Sequence, residues 1–305
     1  MNAQADCSLT ELSDRMRSVQ SIPIHTWGGF GSQLFALALH IDLLRERNLQ
    51  THLICHTSGI TKRRAELAEL CSSIPIEEID DFTSSISPNN VYASKAKTTM
   101  RKIFDKTGII SESNTDKQYK DICSLVRQFR GHYSLRNIQH QTLLQMNEVL
   151  DLNYSNNFIK IREMHDDQQD SLSLHYRLGD LVSSKEKTFV EPTRILNVIQ
   201  SKFITNLPAT LRLSSDSVDE ATKLRSSVGG KQLAWETSAG NSLDVISQLQ
   251  CAKTFIGTNS KLSLWIVLVR LHFSDSKANW LPIEMYNSVK KNLNDMSWSH
   301  RISFY

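Results

Sequence analysis

From about residue 170 onward, the sequence alternates between short apolar segments and longer segments with helical spacing. The segments "SLSLHYR", "ATLRLSS", "KQLAWE" and "KTFIG" have the length and composition of strands, and "NWLP" is typical of a last short strand. Between them lie segments with helical periodicity, such as "TRILNVIQSKF", "NSLDVISQLQCA" and "SKLSLWIVLVRLHF". Strands that alternate with helices predict a parallel sheet covered by helices on both faces.

The N-terminal part opens in the same way. A strand-like "SIPIHTW" leads through the glycine-rich turn "GGFGSQ" into the helical, mostly apolar "LFALALHIDLLRERN", and "THLICH" follows as a second strand. We therefore predict an α/β protein with two Rossmann-type, parallel-sheet domains facing across a cleft. Residues 20–165 form the first domain and 166–290 the second, with a polar leader at 1–19 and a C-terminal tail at 291–305.

Composition excludes several other classes of protein. Hydrophobic residues make up 40% and charged residues 22%, which argues against a disordered chain, and a net charge of +3 is too small to indicate nucleic-acid binding. The five cysteines are scattered without a CxxC pair, so they predict free thiols rather than a zinc site or disulfides. The N-terminus lacks an apolar signal core, and the apolar run "LSLWIVLV" is shorter than the ~20 residues that span a bilayer. We expect a cytoplasmic protein, with peripheral association at the inner membrane face left open.

Ligands of open α/β sheets bind beyond the carboxyl ends of the strands, so the residues at those ends are the candidates for a site. The first candidate is "GGFGSQLF", where glycines between a strand and a helix let a backbone approach a ligand. It lacks the Gly-Lys-Ser/Thr of a P-loop, and Leu34 stands where a dinucleotide fingerprint has its third glycine. A tight turn without a ligand is equally compatible with these residues.

The second candidate is "HYRLGD", which ends a strand predicted to be buried. An arginine there must be paired or face a cleft, because burying an unpaired charge is costly, and a guanidinium can hold a phosphate through two hydrogen bonds. Arg177 is thus a candidate anion ligand, and Asp180 could orient it or take a proton. The alternative is a structural Arg177–Asp180 ion pair with His175 in the core.

Two further strand ends carry polar residues. "LSSDS" places Ser215 and Asp216 after a strand, where Asp216 could instead cap the next helix. "GTNSKLSLW" places Asn259, Ser260 and Lys261 at the start of an apolar helix, where an anion can bind, although Ser260 is also an ordinary helix cap. Asp244, in the preceding helix, lies toward the same edge and could accept hydrogen bonds from a base or ribose.

Taken in order, these segments resemble glycosyltransferase family 11, the bacterial α-1,2-fucosyltransferases. "GGFGSQLFALA" is similar to the family's "GGLGNQLFQYA", "GHYSLRNI" to "GYFQSEKYF", and "LHYRLGDLV" to "HVRRGDYV". "LRLSSDSVDEATKL" resembles the "SDD" segment, and "SLDVISQLQCAKTFIGTNSKLSLWIVLV" resembles "DLxLMSxCKHxIIxNSTFSWWAAWL". The resemblance covers most of residues 22–285, and "NWLP" falls where the family has a short strand ending in proline.

The resemblance implies a GT-B-like fold and a metal-independent, inverting transfer of fucose from GDP-fucose to a hydroxyl of an oligosaccharide or lipid-linked glycan. It implies that Arg177 holds the donor diphosphate, that the first domain serves the acceptor and that no cofactor is needed. The residues expected to act in catalysis are Arg177, His175 and Asp180, with His25 as a further candidate base. The residues expected to bind the donor are Gly29, Gly31, Ser32, Gln33, Arg177, Ser215, Asp216, Asp244, Asn259, Ser260, Lys261 and Ser263.

The sequence also departs from the family pattern. Ser32 replaces an asparagine, Leu178 replaces a second arginine, and only Trp265 is kept of the "FSWW" aromatic residues. These changes leave two alternatives open: a related glycosyltransferase with another nucleotide-sugar donor, or a glycan- or nucleotide-binding module without catalysis. The paired acids Asp80–Asp81 and Asp166–Asp167 lie in polar stretches and are expected to be solvated.

Overall fold

The structure is a computed structural model of the chain. It describes residues 21–57, 62–81, 110–112, 128–131, 133–134, 136–151, 171–177, 189–203, 210–228, 234–237, 242–273, 278–293 and 300–305. Asp180, the Leu178 departure, Asp166–Asp167, Cys7 and Cys123 lie outside these residues.

The first sheet has five parallel strands in the order β3-β2-β1-β5-β4. These strands are β1 (Ile22–Trp27), β2 (Thr51–His56), β3 (Ile76–Ile79), β4 (Ile110–Glu112) and β5 (Gln128–Arg130). Helix α1 (Phe30–Arg47) connects β1 to β2, α2 (Glu66–Leu70) precedes β3, and α3 (His140–Asp151) follows β5. From β1 the chain adds β2 and then β3 on one side, and β4 and β5 lie on the other side of β1. The topological switch therefore lies between β1 and β5.

The second sheet has six parallel strands in the order β11-β10-β9-β6-β7-β8. These strands are β6 (Ser171–Tyr176), β7 (Thr210–Ser215), β8 (Ala234–Thr237), β9 (Thr254–Gly257), β10 (Ala278–Leu281) and β11 (Ile302–Phe304). The helices are α4 (Pro192–Phe203), α5 (Val218–Val228), α6 (Ser242–Leu249), α7 (Lys261–Phe273) and α8 (Tyr286–Leu293), the last preceded by a 3-10 turn at Ile283–Met285. Here the topological switch lies between β6 and β9.

These two sheets confirm the predicted fold class, an α/β protein with two parallel-sheet units. Strand β6 is buried along its whole length, as expected for a central strand covered on both faces. The predicted strands and helices after residue 170 all appear among the described residues, in the predicted order.

Helices α1 and α7 join the two units. Residues 30–43 of α1 and 263–271 of α7 are buried, so neither stretch has a solvent-exposed face. Phe35 of α1 packs edge-on against Trp265 of α7, with 5.2 Å between ring centroids, and both side chains are fully buried. Helices that are buried and mostly apolar need cover on several sides, and here α1 and α7 cover part of each other.

The C-terminal residues are more integrated than the predicted tail at 291–305 suggests. Ile302–Phe304 forms edge strand β11 beside β10, and α8 returns to the first unit, where Ile138 donates its backbone N–H to the Asn292 carbonyl at 3.0 Å. Asn292 Nδ2 also donates to the Ser134 carbonyl at 2.6 Å. The remaining domain boundaries stay a prediction.

Candidate active site

The carboxyl end of β6 is held against that of β9 by the hydroxyl of Thr258. Thr258 Oγ1 donates to the His175 carbonyl and accepts from the Arg177 N–H, with both donor–acceptor distances 3.0 Å. β6 and β9 are the two strands at the switch point, where open α/β sheets bind their ligands. Thr258 therefore fixes the backbone from which the Arg177 side chain leaves the sheet.

His175 is buried and its ring contacts the first residues of α7 and the residue before them. Its Nδ1 lies 2.7 Å from Ser263 Oγ and 3.3 Å from Ser260 Oγ. Ser263 Oγ already accepts from the Thr258 N–H at 3.1 Å and from Ser260 Oγ at 3.1 Å, so its own proton goes to His175 Nδ1. Burial, followed by the nearby Arg177 charge, lowers the pKa of His175 to about 4, which keeps the imidazole neutral.

Ser260 is the N-cap of α7, because its Oγ accepts the Ser263 N–H at 3.0 Å. The helix-cap interpretation of Ser260 is thus confirmed. Together, His175, Ser260 and Ser263 form a closed network behind the strand ends, and this gives His175 a positioning role.

The Arg177 side chain lies between the two units. Its Nε is 3.9 Å from Asp216 Oδ2, and the side chain is 25% exposed. A Cβ built on Gly29 would be 3.9 Å from Arg177 Nη1, so the guanidinium reaches the glycine turn that follows β1. Ser215 Oγ accepts the Ser217 N–H at 3.1 Å and shapes the turn that carries Asp216. The carboxylate placed beside Arg177 in the described residues is therefore Asp216.

A second cation lies beside Arg177. Lys261, the first residue of α7, donates from Nζ to Ser32 Oγ of α1 at 3.1 Å. Burial, followed by the nearby Arg177 charge, lowers the pKa of Lys261 to about 7. Two basic side chains from neighbouring strand ends thus converge beside a serine hydroxyl and a glycine turn, an arrangement suited to an anion with several oxygens.

The predicted glycines have different roles. Gly31 lets α1 and α7 approach, since a Cβ there would lie 2.6 Å from the Leu262 nitrogen. Gly28 has a φ of +98°, a conformation that favours glycine, and makes the turn after β1. Ser260 Oγ accepts the Ser263 N–H, so this amide of α7 is occupied within the protein.

Other predicted donor residues are placed less centrally. Gln33 is buried, donates to the Arg64 carbonyl at 2.7 Å and accepts the Leu67 N–H at 3.1 Å, which ties α1 to α2. Asn259 is half-buried at the start of α7, and Asp244 lies in the first turn of α6.

Sequence analysis named His25 as a candidate base but missed the cluster around it at the carboxyl end of the first sheet. His25 Nδ1 lies 2.9 Å from His56 Nε2, and His56 Nδ1 lies 2.8 Å from Asp81 Oδ2. Trp27 stacks on His56 at 4.5 Å between centroids, and the Arg130 guanidinium carbon lies 5.2 Å from the Trp27 ring centroid. Asp81 is therefore not simply solvated, whereas the Asp80 side chain is 61% exposed in its ion pair with Lys62. The register of β1 and β2 pairs Trp27 with His56. The cluster could be predicted only if these two strands were known to be adjacent.

Burial, followed by the Arg130 and His56 charges, lowers the pKa of His25 to about 4. The described residues contain no group of three or more histidine, cysteine or acidic side chains arranged to hold a metal ion. Within the same ranges, no helix is long and apolar enough to cross a membrane.

No protein-family profile and no curated protein matches the sequence. Similar solved structures include the NodZ α-1,6-fucosyltransferase soaked with GDP-fucose, at 11% identity and a TM-score of 0.42, covering 82% of this chain and 93% of that one. The E. coli heptosyltransferase WaaC with ADP is 11% identical, with a TM-score of 0.40 and 90% coverage of both chains. A putative UDP-N-acetylglucosamine 2-epimerase from Listeria monocytogenes is 8% identical, with a TM-score of 0.43 and coverage of 89% and 87%. With TM-scores below 0.5, these similarities do not decide an activity, and the resemblance to glycosyltransferase family 11 stays a prediction.

Proposed function

We propose that this protein is a glycosyltransferase that uses a nucleoside-diphosphate sugar, with GDP-fucose as donor and a glycan hydroxyl as acceptor. The observation that carries the proposal is the convergence of Arg177 and Lys261 at the β6–β9 switch point, facing the glycine turn after β1. The choice of fucose and guanosine comes from the sequence resemblance described above.

The charges suit departure of a diphosphate. Breaking the bond between sugar and diphosphate leaves growing negative charge on phosphate oxygens, and fixed cations at that position stabilise it. Arg177 can offer two parallel N–H donors, which match two phosphate oxygens, and Asp216 orients the guanidinium from the other side. In this mechanism the two side-chain cations provide the stabilisation without a divalent metal.

The acceptor side is assigned to the first sheet. In an inverting reaction the acceptor hydroxyl attacks the anomeric carbon from the face opposite the diphosphate, through a transition state with oxocarbenium character. The switch point of the first sheet, between β1 and β5, carries His25, Trp27 and Arg130. Among the described base candidates, His25 lies on this side, whereas His175 is enclosed behind the α7 cap. Asp180 keeps its place as the other candidate base.

Calorimetry of nucleotide binding tests the proposal. GDP and GDP-fucose are titrated into wild type, Arg177→Ala and Arg177→Lys, with EDTA and with added Mg²⁺. We expect Arg177→Ala to weaken GDP binding at least tenfold and Arg177→Lys to weaken it less, because lysine keeps the charge but loses the paired donors. EDTA is expected to leave the affinity unchanged.

The outcomes separate the alternatives. Binding of GDP without GDP-fucose directs the assignment to another guanosine-linked sugar. Binding of the donor without GDP release in the presence of glycan acceptors identifies a binding module. Folded protein that binds neither ligand refutes the donor assignment.

A further inference from the structure

Asp81, His56 and His25 form a continuous hydrogen-bonded chain at the carboxyl end of the first sheet. Asp81 Oδ2 lies 2.8 Å from His56 Nδ1, and His56 Nε2 lies 2.9 Å from His25 Nδ1. The chain runs from Asp81, whose side chain is 38% exposed, through the buried His56 to the half-buried His25. It joins β1, β2 and the residues after β3, so three neighbouring strands of one sheet position its members.

The hydrogen bonds fix where the protons of the two rings lie. A carboxylate only accepts, so a neutral His56 carries its proton on Nδ1 and presents the lone pair of Nε2 to His25. His25 Nδ1 must then donate, which leaves the lone pair of a neutral His25 on Nε2. Burial, followed by the Arg130 and His56 charges, lowers the pKa of His25, so its ring is neutral near pH 7. His25 Nε2 is thus a proton acceptor whose tautomer is set by two other side chains.

Neighbouring groups hold the two rings in this geometry. Trp27 stacks on His56 with 7° between the ring planes, and Tyr133 Oη donates to the His25 carbonyl at 2.7 Å. The Gln128 side chain on β5 hydrogen-bonds the His25 ring and raises its pKa, so this contact favours the protonated ring. Because His25 Nδ1 is engaged by His56, the Nε2–H of an imidazolium is the donor that remains for Gln128. Gln128 can therefore stabilise His25 after Nε2 has taken up a proton.

The chain lies close to the guanidinium of the second sheet. His25 precedes Gly29 by four residues, and a Cβ built on Gly29 would be 3.9 Å from Arg177 Nη1. Four residues span at most about 14 Å, so His25 and Arg177 are near enough to act on opposite ends of one sugar residue. In the proposed reaction one end of that sugar is bonded to the diphosphate and the other group to arrive is the acceptor hydroxyl.

We propose that Asp81, His56 and His25 act together as the base of the transfer, with His25 Nε2 as the atom that takes the proton of the acceptor hydroxyl. His56 and Asp81 are positioning residues, which fix the tautomer of His25 and offset its charge after proton transfer. The inference rests on the proposed function and deepens it by assigning the base and the two residues that position it.

Each bond change in this step has a defined partner. The acceptor oxygen forms a bond to the anomeric carbon, and its proton moves to His25 Nε2. The bond between the anomeric carbon and the diphosphate breaks, and its electron pair leaves on the phosphate oxygen. The imidazolium formed at His25 still donates from Nδ1 to His56, and Asp81 stays ionised and offsets the positive charge through His56.

The test measures GDP release from GDP-fucose by the full chain, with lactose as the acceptor probe and with water alone. The variants are His25→Gln, His25→Ala and Asp81→Asn. His140→Gln changes an exposed histidine on α3 and Asp80→Asn an exposed neighbouring acid, so these two are the matched controls. Calorimetry with GDP and thermal unfolding of each variant show whether the donor site and the fold are intact.

We expect His25→Gln to lower kcat at least 100-fold while the Kd for GDP stays within twofold. Added imidazole is expected to restore kcat of His25→Ala at least tenfold, which would not happen if the histidine only supported the fold. Asp81→Asn should lower kcat about tenfold with the KM for lactose within twofold, because asparagine still accepts from His56 but carries no charge. Both controls should keep kcat within twofold of wild type.

The ¹⁵N NMR shifts of the histidine rings test the chain without any nucleotide. We expect the proton on Nδ1 in both His56 and His25 of the wild-type protein near pH 7. A proton on Nε2 of His25 would refute the inference whether or not GDP binds.

The outcomes also separate this inference from the proposed function. If His25→Gln turns over as fast as His140→Gln while GDP binding depends on Arg177, the inference is refuted and the proposed function stands. Loss of turnover in Asp180→Asn but not in His25→Gln likewise refutes the inference and assigns the base to Asp180. GDP-fucose binding without GDP release to lactose or water refutes it too and identifies a binding module. If folded wild type binds neither GDP nor GDP-fucose, the proposed function and the inference fail together.

Discussion

Gly31 in α1 and Leu262 in α7 meet so closely that a Cβ on Gly31 would lie 2.6 Å from the Leu262 nitrogen and 2.8 Å from the Lys261 carbonyl carbon. These obstacles are backbone atoms, which cannot rotate away as a side chain can. The contact therefore sets the distance between the glycine turn of the first sheet and the two cations of the second.

Gly31→Ala should destabilise the protein and weaken nucleotide binding together. Alanine favours the helical backbone by about 1 kcal/mol over glycine, but the clash with the α7 backbone is expected to outweigh this gain. We expect a net loss of about 1–3 kcal/mol in unfolding free energy. Gly29→Ala is the matched control for stability, because its Cβ would make an ordinary 3.9 Å contact with Arg177 Nη1. Urea unfolding and GDP titration of both variants provide the measurement, and equal stability of the two would contradict this role of Gly31.

Thr258→Val should remove the hydrogen bonds that tie the end of β9 to the backbone of His175 and Arg177. Valine removes the hydroxyl that bridges the His175 carbonyl and the Arg177 N–H, leaving buried groups without their partner at a cost of about 1–3 kcal/mol. We expect lower stability and at least threefold weaker GDP binding, with both restored in Thr258→Ser, which keeps the hydroxyl. A valine variant that matches the serine variant in both measurements would rule out the bridge.

His175→Asn should reduce the loss of stability in mild acid. The folded-state pKa of His175 is about 4, below the usual 6.5, so the unfolded chain binds the proton first as the pH falls. Stability is therefore lost between pH 6.5 and 4, by about 2 kcal/mol for this histidine between pH 7.5 and 5. Asparagine can still accept from Ser263 but does not titrate, so the difference in unfolding free energy between the two pH values should shrink by that amount.

His25 and His40 have pKa values lowered to about 4 in the same direction, so wild type should lose more stability than one histidine explains. An unchanged pH dependence in His175→Asn would show that folding does not lower the pKa of His175.

Asp42→Asn should destabilise the first unit through a buried charge network. The fully buried Asp42 carboxylate accepts from Arg45 Nη2 at 2.8 Å, from Arg136 Nη2 at 3.2 Å and from Thr142 Oγ1 at 2.5 Å, which ties α1 to α3. Removing its charge takes away the carboxylate that Arg45 and Arg136 share, and we expect a loss of about 3 kcal/mol. Glu46→Gln, which changes the half-exposed partner of Arg45, should cost less than about 1 kcal/mol. Similar losses in both variants, measured by urea unfolding, would contradict the network.

Local patterns were sufficient to predict much of this protein. The alternation of strand and helix established two parallel sheets, because a parallel neighbour requires a crossover connection and the crossovers are visible as helical periodicity. The same patterns placed Arg177, Asp216 and Gly29 at strand ends, where the structure brings them together. Ser260 could be identified as a helix cap because capping depends on residues within one turn.

Tertiary structure alone decided which distant residues became neighbours. The contact of Lys261 with Ser32, the bridge from Thr258 to His175 and Arg177, and the chain from Asp81 through His56 to His25 all join separate elements. They depend on the order of strands in each sheet and on the approach of α1 to α7, which local periodicity does not encode. Strand β11 was missed for the same reason, since three residues acquire a strand conformation only through pairing with β10. The sequence thus determined the elements and their ends, and packing between the two units determined which side chains meet at the site.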